Sequence, residues 1–217
     1  LDRLSILILK IYHMNEESKR VDVSKKHRNN CQAKLDVLLD QQTDLSESIN
    51  QLLEDISSGQ KKMKVYTDGG YRFNTKIGGW GVVLESKKIY IEMNGFEFEN
   101  ATNNRMELTA VIQSLEKIKE KGFKPCKIKI YSDSKYVVDG ITIWIKNWKK
   151  KEYKKVKNPD LWKNLDLIYE ELLSKEFQIS WNWVKAHTQN MDSKSIGNRK
   201  ADELANIAMD RANKICK

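Results

Sequence analysis

Four acidic residues, Asp68, Glu107, Asp133 and Asp202, have the type and spacing to hold hard cations. Each is expected at the end of an element: Asp68 closes a first strand, Asp133 closes a strand after a crossover helix, Glu107 lies in that helix's first turn, and Asp202 opens a final helix. Right-handed crossovers set the strands of Asp68 and Asp133 side by side and bring such residues to one rim of an open sheet, where active sites form. Four carboxylates a few ångström apart repel one another and raise each other's pKa, so such a cluster persists where cations neutralise it. Carboxylate oxygens suit Mg²⁺ or Mn²⁺. Taken singly, each motif has an ordinary alternative. Asp68-Gly69-Gly70 reads equally as a turn, Asp133-Ser134 as a capped helix start, and Ala201-Asp202-Glu203-Leu204 as an acidic helix opening. His187, which follows an alternating strand, is either a structural hydrogen-bond former or a proton carrier.

The elements that must position these groups are legible from hydrophobic periodicity. Val65-Tyr66-Thr67, Trp80 to Leu84 and Ile89 to Met93 read as closely spaced strands, which suggests an antiparallel meander. Thr102-Asn103-Asn104 offers capping side chains to a helix in which Leu108, Val111, Ile112, Leu115 and Ile118 recur at helical spacing, with Gly122 near its end. Ile128 to Tyr131 follows as a strand. Phe177, Ile179, Trp181 and Trp183 alternate in a last strand, and Ala201, Leu204, Ala205 and Ala208 mark the closing helix. The expected class is α/β, a five-stranded mixed sheet flanked by helices.

Ahead of this region, Leu35, Leu38, Leu45, Ile49, Leu52 and Ile56 form an amphipathic helical stripe over residues 35–56, interrupted by Gln42. Three heptads leave two roles open: packing against its own domain or the Leu1 to Tyr12 segment, and self-association or binding of a protein partner. The polar break Ser57 to Lys62 marks the expected boundary between a helical N-terminal segment, 1–60, and a second domain, 61–217.

The 217 residues are 40% hydrophobic and 32% charged, with 10 Gly and 2 Pro, which excludes collagenous and low-complexity chains and provides for one compact domain with an appendage. No apolar tract reaches the ~20 residues that cross a bilayer, so no membrane association is expected. Three cysteines, Cys31, Cys126 and Cys216, are far apart and fit neither a disulfide framework nor a paired zinc motif. That points to a reducing, intracellular compartment, cytoplasmic or nuclear, with organelles left open. The first residue is Leu1 rather than Met, as in a fragment or a processed product.

The net charge is +9. Residues 1–60 hold 8 basic and 10 acidic groups, which leaves 31 and 20 for residues 61–217. Seven lysines, Lys146, Lys149, Lys150, Lys151, Lys154, Lys155 and Lys157, fall within residues 141–158 against the single Glu152. Charge this local suits either a polyanion, nucleic acid first, or a solvated face.

In order and spacing, the segments Tyr66-Thr67-Asp68-Gly69-Gly70, Gly78-Gly79-Trp80-Gly81, Thr102-Asn103-Asn104-Arg105-Met106-Glu107-Leu108, Tyr131-Ser132-Asp133-Ser134-Lys135-Tyr136-Val137, Gly140-Ile141-Thr142, Trp181 to His187 and Asn198 to Ala205 together resemble type 1 ribonuclease H over about residues 63–210. The resemblance implies a ribonuclease H-like fold and an endonuclease that cuts the RNA strand of an RNA/DNA hybrid with two Mg²⁺ ions, Mn²⁺ being an alternative, leaving 5′-phosphate ends. It assigns Asp68, Glu107, Asp133 and Asp202 to the metals and His187 to proton transfer or product release. It further implies substrate contacts at Asn74, Asn103, Asn104 and Lys135, a DNA-phosphate pocket at Thr102, and a basic protrusion carrying Trp144, Trp148, Lys149, Lys150 and Lys151. Two cations of this kind activate the attacking water and neutralise the leaving oxygen, so no protein nucleophile is required.

Three departures from the family pattern bear on this. The loop Gly70-Tyr71-Arg72-Phe73-Asn74 is bulkier than is usual in the family. Fifteen residues separate His187 from Asp202, which implies a long histidine loop. Residues 1–60 lack the aromatic, Gly-rich composition of the hybrid-binding domain that precedes many such enzymes. Two other origins stay open, the ribonuclease H module of a retroelement reverse transcriptase and a non-catalytic hybrid-binding scaffold.

Overall fold

The structure, a computed structural model, describes residues 2–58, 62–186 and 192–215. Two compact units divide the chain, Leu1–Gly59 and Gln60–Lys217. The first is a helical hairpin of α1 (Asp2–Lys19) and α2 (Lys25–Ser58). The turn between them is closed by Arg20, whose guanidinium pairs with Asp22 at 2.6 Å and with Glu17 at 3.1 Å. Helix α2 begins ten residues before the expected stripe, because Ser24 Oγ accepts from the His27 amide at 3.2 Å and caps it there. Facing α1, it buries Cys31 and Leu35.

The second unit is a five-stranded sheet in the order β3-β2-β1-β4-β5, formed by β1 (Lys62–Arg72), β2 (Ile77–Ser86), β3 (Ile89–Glu97), β4 (Lys127–Ser132) and β5 (Gln178–Trp183). The first three strands pair antiparallel as a meander, while β4 and β5 join in parallel through helical crossovers. Between β3 and β4 lies α3 (Asn103–Glu120), and between β4 and β5 lie α4 (Lys135–Asp139), a π-helical turn (Gly140–Trp144), α5 (Ile145–Lys150) and α6 (Pro159–Ser174). Helix α7 (Ser193–Ile215) closes the chain. Among the described residues no helix is long and apolar enough to cross a membrane.

Alternating side chains put α3 and α6 on one face of the sheet and α7 on the other. The main core, including Val65, Val82, Leu84, Leu115, Ile128 and Trp162, fills the α3 side. On the α7 side Tyr66, Val83 and Tyr131 pack with Ala201 and Leu204, and glycine admits the helix backbone: a Cβ at Gly81 would stand 2.1 Å from the Ala201 carbonyl oxygen, so only glycine lets the helix seat there.

Candidate active site

Strand β1 outruns its parallel neighbour. The β1–β4 ladder ends at Thr67 opposite Ser132, whereas β1 continues to Arg72 paired only with β2. Asp68 and Asp133 are therefore the first residues past the end of the shared ladder and stand at a notch in the sheet. Asp68 is inside β1 rather than at its end, and Asp68-Gly69-Gly70 is strand rather than turn. The reason is packing: a Cβ on Gly69 would lie 2.2 Å from the Glu107 amide nitrogen, so the glycine admits the backbone of α3 against the strand and delivers Glu107 to the notch. Thr102 Oγ1 caps α3 by accepting from the Arg105 amide at 3.3 Å, which places Glu107 at the start of the second turn, not in the first.

Asp202 also sits differently from expectation. Helix α7 starts at Ser193, nine residues earlier, because Asp192 Oδ1 accepts from the Ser195 amide at 2.7 Å. Gly197 and Asn198, expected in a long histidine loop, are helical and buried. Asp202 reaches the site laterally, next to Ala201, which lies over Gly81, the cross-strand partner of Asp68.

The result is a convergent acidic cluster. Asp68, Glu107 and Asp133 each offer an oxygen within 4.8 Å of the others. Burial first, then the charges of Asp133 and Asp202, push Asp68 up to about 8. Burial and the charges of Asp68 and Asp133 raise Glu107 well above the usual carboxylate range. The Gly69 amide opposes both shifts only in part. Asn198 steadies Asp133, donating from Nδ2 to Oδ2 at 3.3 Å, and the Trp183 indole donates to the Asp133 carbonyl at 2.9 Å. Glu107 Oε2 is buried with no hydrogen-bond partner among the described residues. A buried acceptor left without a donor is costly, and a hard divalent cation is the group that an all-oxygen donor set of this charge would satisfy. The residues fit such an ion.

The other expected site residues divide. His187 lies outside the described residues. Asn74 is exposed in the β1–β2 turn, its Oδ1 accepting from the Thr75 amide at 3.0 Å. Of the three capping candidates only Thr102 caps, while Asn103 and Asn104 are exposed helical residues at the mouth of α3. Lys135 extends over the Trp183 ring, 5.0 Å from its centroid. Trp148 packs on the core, its ring 5.0 Å from that of Trp162, and Trp144 stands 37% exposed beside it. Lys150 and Lys151 are exposed and, with Glu152, Lys154 and Lys155, line one open cleft. Lys149 is engaged within the protein, its ammonium bridging Asp166 and Glu170, both at 2.8 Å. Asn198, Asn206 and Trp183 were not singled out from the sequence; asparagines four residues either side of Asp202 on one helix were the available signal.

The RNase H family model matches residues 60–210. The chain belongs to the RNase H family. Proteins named ribonuclease H from Ruthia magnifica and Rickettsia bellii are 44% and 46% identical to it, over 69% and 70% of this chain and 97% and 89% of their own. Among solved structures, the N-terminal RNase H domain of a Mycobacterium tuberculosis protein is 28% identical, with a TM-score of 0.52 over 72% of this chain and 99% of that one. LC11-RNase H1, solved in complex with an RNA/DNA hybrid, is 25% identical, with a TM-score of 0.51 over 69% of this chain and 98% of its own. The ribonuclease H activity of the family is thus the activity of the second unit. A second family model, described as a protein of unknown function, matches residues 1–65.

Proposed function

We propose that residues 61–217 hydrolyse the RNA strand of RNA/DNA hybrids, with two divalent cations, Mg²⁺ foremost, held by Asp68, Glu107, Asp133 and Asp202. The observation that carries this reading is the meeting of three carboxylates within 4.8 Å at a notch beside β1, with Glu107 Oε2 lacking a donor. When bound, the cations supply the Lewis acidity that activates water and offsets charge on the leaving oxygen.

The chain's own residues set the geometry. Gly69 and the Thr102 cap fix the approach of α3 and so the reach of Glu107. Asn198 and Trp183 hold Asp133 from its carboxylate and its carbonyl. Asn103, Asn104 and Asn74, all exposed, supply amides suited to 2′-hydroxyl and base-edge contacts, which distinguish the RNA strand from DNA. His187 is assigned to proton transfer or product release, and the exposed lysines to backbone phosphates of the hybrid.

The test is a labelled RNA/DNA hybrid with Mg²⁺. Asp133→Asn removes one ligand charge at nearly constant volume, so cleavage should vanish while folding and hybrid binding persist; full activity in the variant would sink the assignment. We assign residues 1–60 to a separable appendage. Deleting them should leave a folded nuclease with activity within about twofold of the whole chain, as expected where a domain carries its own core. Exposed Ile8, Leu9, Tyr12, Val37 and Leu39 support association with a partner or a second copy as the hairpin's role, to be read from sedimentation of the whole chain. Cys31 and Cys126 are buried thiols, in keeping with a reducing compartment.

A further inference from the structure

Asp202 is the member of the acidic set with the least obvious means of orientation. It belongs to no strand end and is absent from the trio whose oxygens lie within 4.8 Å of one another. It stands more than two turns inside α7, where a carboxylate turns freely about χ1 and χ2 unless something holds it.

What holds it is a chain of side chains leading back to β1. Asn206, one turn further along α7, donates from Nδ2 to Asp202 Oδ1 at 2.9 Å and to the Asp202 carbonyl oxygen at 3.0 Å. The Asp202 carbonyl oxygen can only accept, so the amide already turns its NH₂ toward Asp202 and leaves Oδ1 facing away. Arg72 holds the other end. Its guanidinium has only donors, and Nη2 donates to Asn206 Oδ1 at 3.2 Å, which anchors the amide in the orientation that serves Asp202. Arg72 is in turn held by an ion pair between Nη1 and Asp210 Oδ1. Asp202, Asn206 and Asp210 recur at four-residue steps on one face of α7, while Arg72 ends β1 four residues after Asp68 and so faces the same side of the strand.

We propose that Arg72 and Asn206 are positioning residues for Asp202, fixing the direction in which its carboxylate meets the cation held at the notch. The strand that carries Asp68 thereby also sets the Asp202 carboxylate, through a two-link chain. Arg72 belongs to the segment Gly70 to Asn74 whose bulk departs from the family pattern, which gives that departure a use. The inference rests on the reading of the notch as a cation site.

The test uses the whole chain, stripped with EDTA, titrated calorimetrically with MnCl₂ and assayed in parallel for hybrid cleavage at temperatures where each variant is folded. Asn206→Ala and Arg72→Ala should each raise the Mn²⁺ dissociation constant by about tenfold, at the low end of losses seen when groups behind metal ligands are removed. In both, kcat should fall with little change in KM for the hybrid. The double variant should be no worse than either single one, because both cut the same chain. Arg72→Lys should recover most of the loss, since an ammonium can still donate to Asn206 Oδ1. If Arg72→Ala fails to fold, Asn206→Ala and Arg72→Lys carry the comparison. A folded Asn206→Ala with the parent's Mn²⁺ affinity and kcat overturns the inference alone, as does a double variant whose loss is the product of the singles. A parent chain that takes up no Mn²⁺ overturns the cation reading and the inference with it.

Discussion

The notch beside β1 and the lysine-rich tract after the π-helical turn both concentrate charge of one sign, and they treat it in opposite ways. At the notch, Asp68, Glu107 and Asp133 are brought together, Asp68 buried and the other two half-buried, and burial and mutual repulsion raise Asp68 and Glu107. In the tract the charges are spread outward. Tyr153 is buried as an anchor, its hydroxyl donating to Asp166 at 2.9 Å, and Lys150, Lys151, Lys154 and Lys155 fan around it in water. Some of this charge is already answered: Lys149 is held by Asp166 and Glu170, whereas the contact of Lys154 with Glu152 lies fully in water, where screening leaves the lysine available. Counting charges in a sequence therefore says less than asking which of them the fold leaves unanswered. The notch retains a strong, localised demand for cations, whereas the tract offers a weaker, diffuse one for anions.

The comparison breaks most decisively at Gly69. A Cβ there would stand 2.2 Å from the Glu107 amide nitrogen, against backbone that has no rotamer to give. Gly69→Ala should push α3 off the strand, cost about 3 kcal/mol or more of stability and abolish cleavage. Hybrid cleavage and urea unfolding of the purified variant check this, and near-normal values for both would show that Glu107 is not set by this contact.

Stability against pH sharpens the same contrast. Asp68 titrates near its ordinary value of 3.8 when unfolded but at about 8 in the cation-free fold. Between those values the folded state keeps a proton that the unfolded chain releases, so stability should fall as pH rises through that window. Ion-paired carboxylates such as Asp22, held down to about 2 by Arg20, complete their titration below it. Thermal unfolding in EDTA should give a lower Tm at pH 8 than at pH 5, and saturating Mg²⁺ should raise Tm more at pH 8. A cation-free Tm that climbs over this range would mean that the notch is not the dominant titrating site.

Most of the fold was legible because its elements obey simple periodicities. The meander, α3 with Leu108, Val111, Leu115 and Ile118, and β5 with alternating Ile179 and Trp181 all stand where the pattern put them. The convergence of Asp68, Glu107 and Asp133 was legible too, but the placement of the acidic residues within their elements was not. Asp68 and Asp202 were expected at element ends and lie inside β1 and α7; Gly69 and Gly70, which look like turn residues, are spaces for packed helices, and α7 starts early at its Asp192 cap. That use of glycine depends on a neighbour distant in sequence, which periodicity does not reveal. The partners of Lys149 were hidden for the same reason: Asp166 and Glu170 lie on α6, a helix that went unrecognised between the basic tract and β5.

The smallest effects are expected in the tract, where the structure splits a sequence run into two groups. Lys150, Lys151, Lys154 and Lys155 are exposed around one cleft, so replacing all four with Ala should weaken hybrid binding uniformly across sequences. Every phosphate that the variant no longer neutralises should reduce the slope of log K against log salt by ~0.7 to 0.9, and KM should rise more than kcat falls, because a remote phosphate clamp holds ground and transition states alike. Lys149→Ala should behave differently. Its ammonium already serves Asp166 and Glu170, so the salt slope should stay at the parent value while stability drops by about 1 kcal/mol, the upper range for an exposed pair. Filter binding of a labelled hybrid at several salt concentrations, alongside urea unfolding, separates the two. If Lys149→Ala flattened the slope as the other four do, its ion pairs would have to open when the hybrid docks, and the division between answered and unanswered charge would fail in the tract while still holding at the notch.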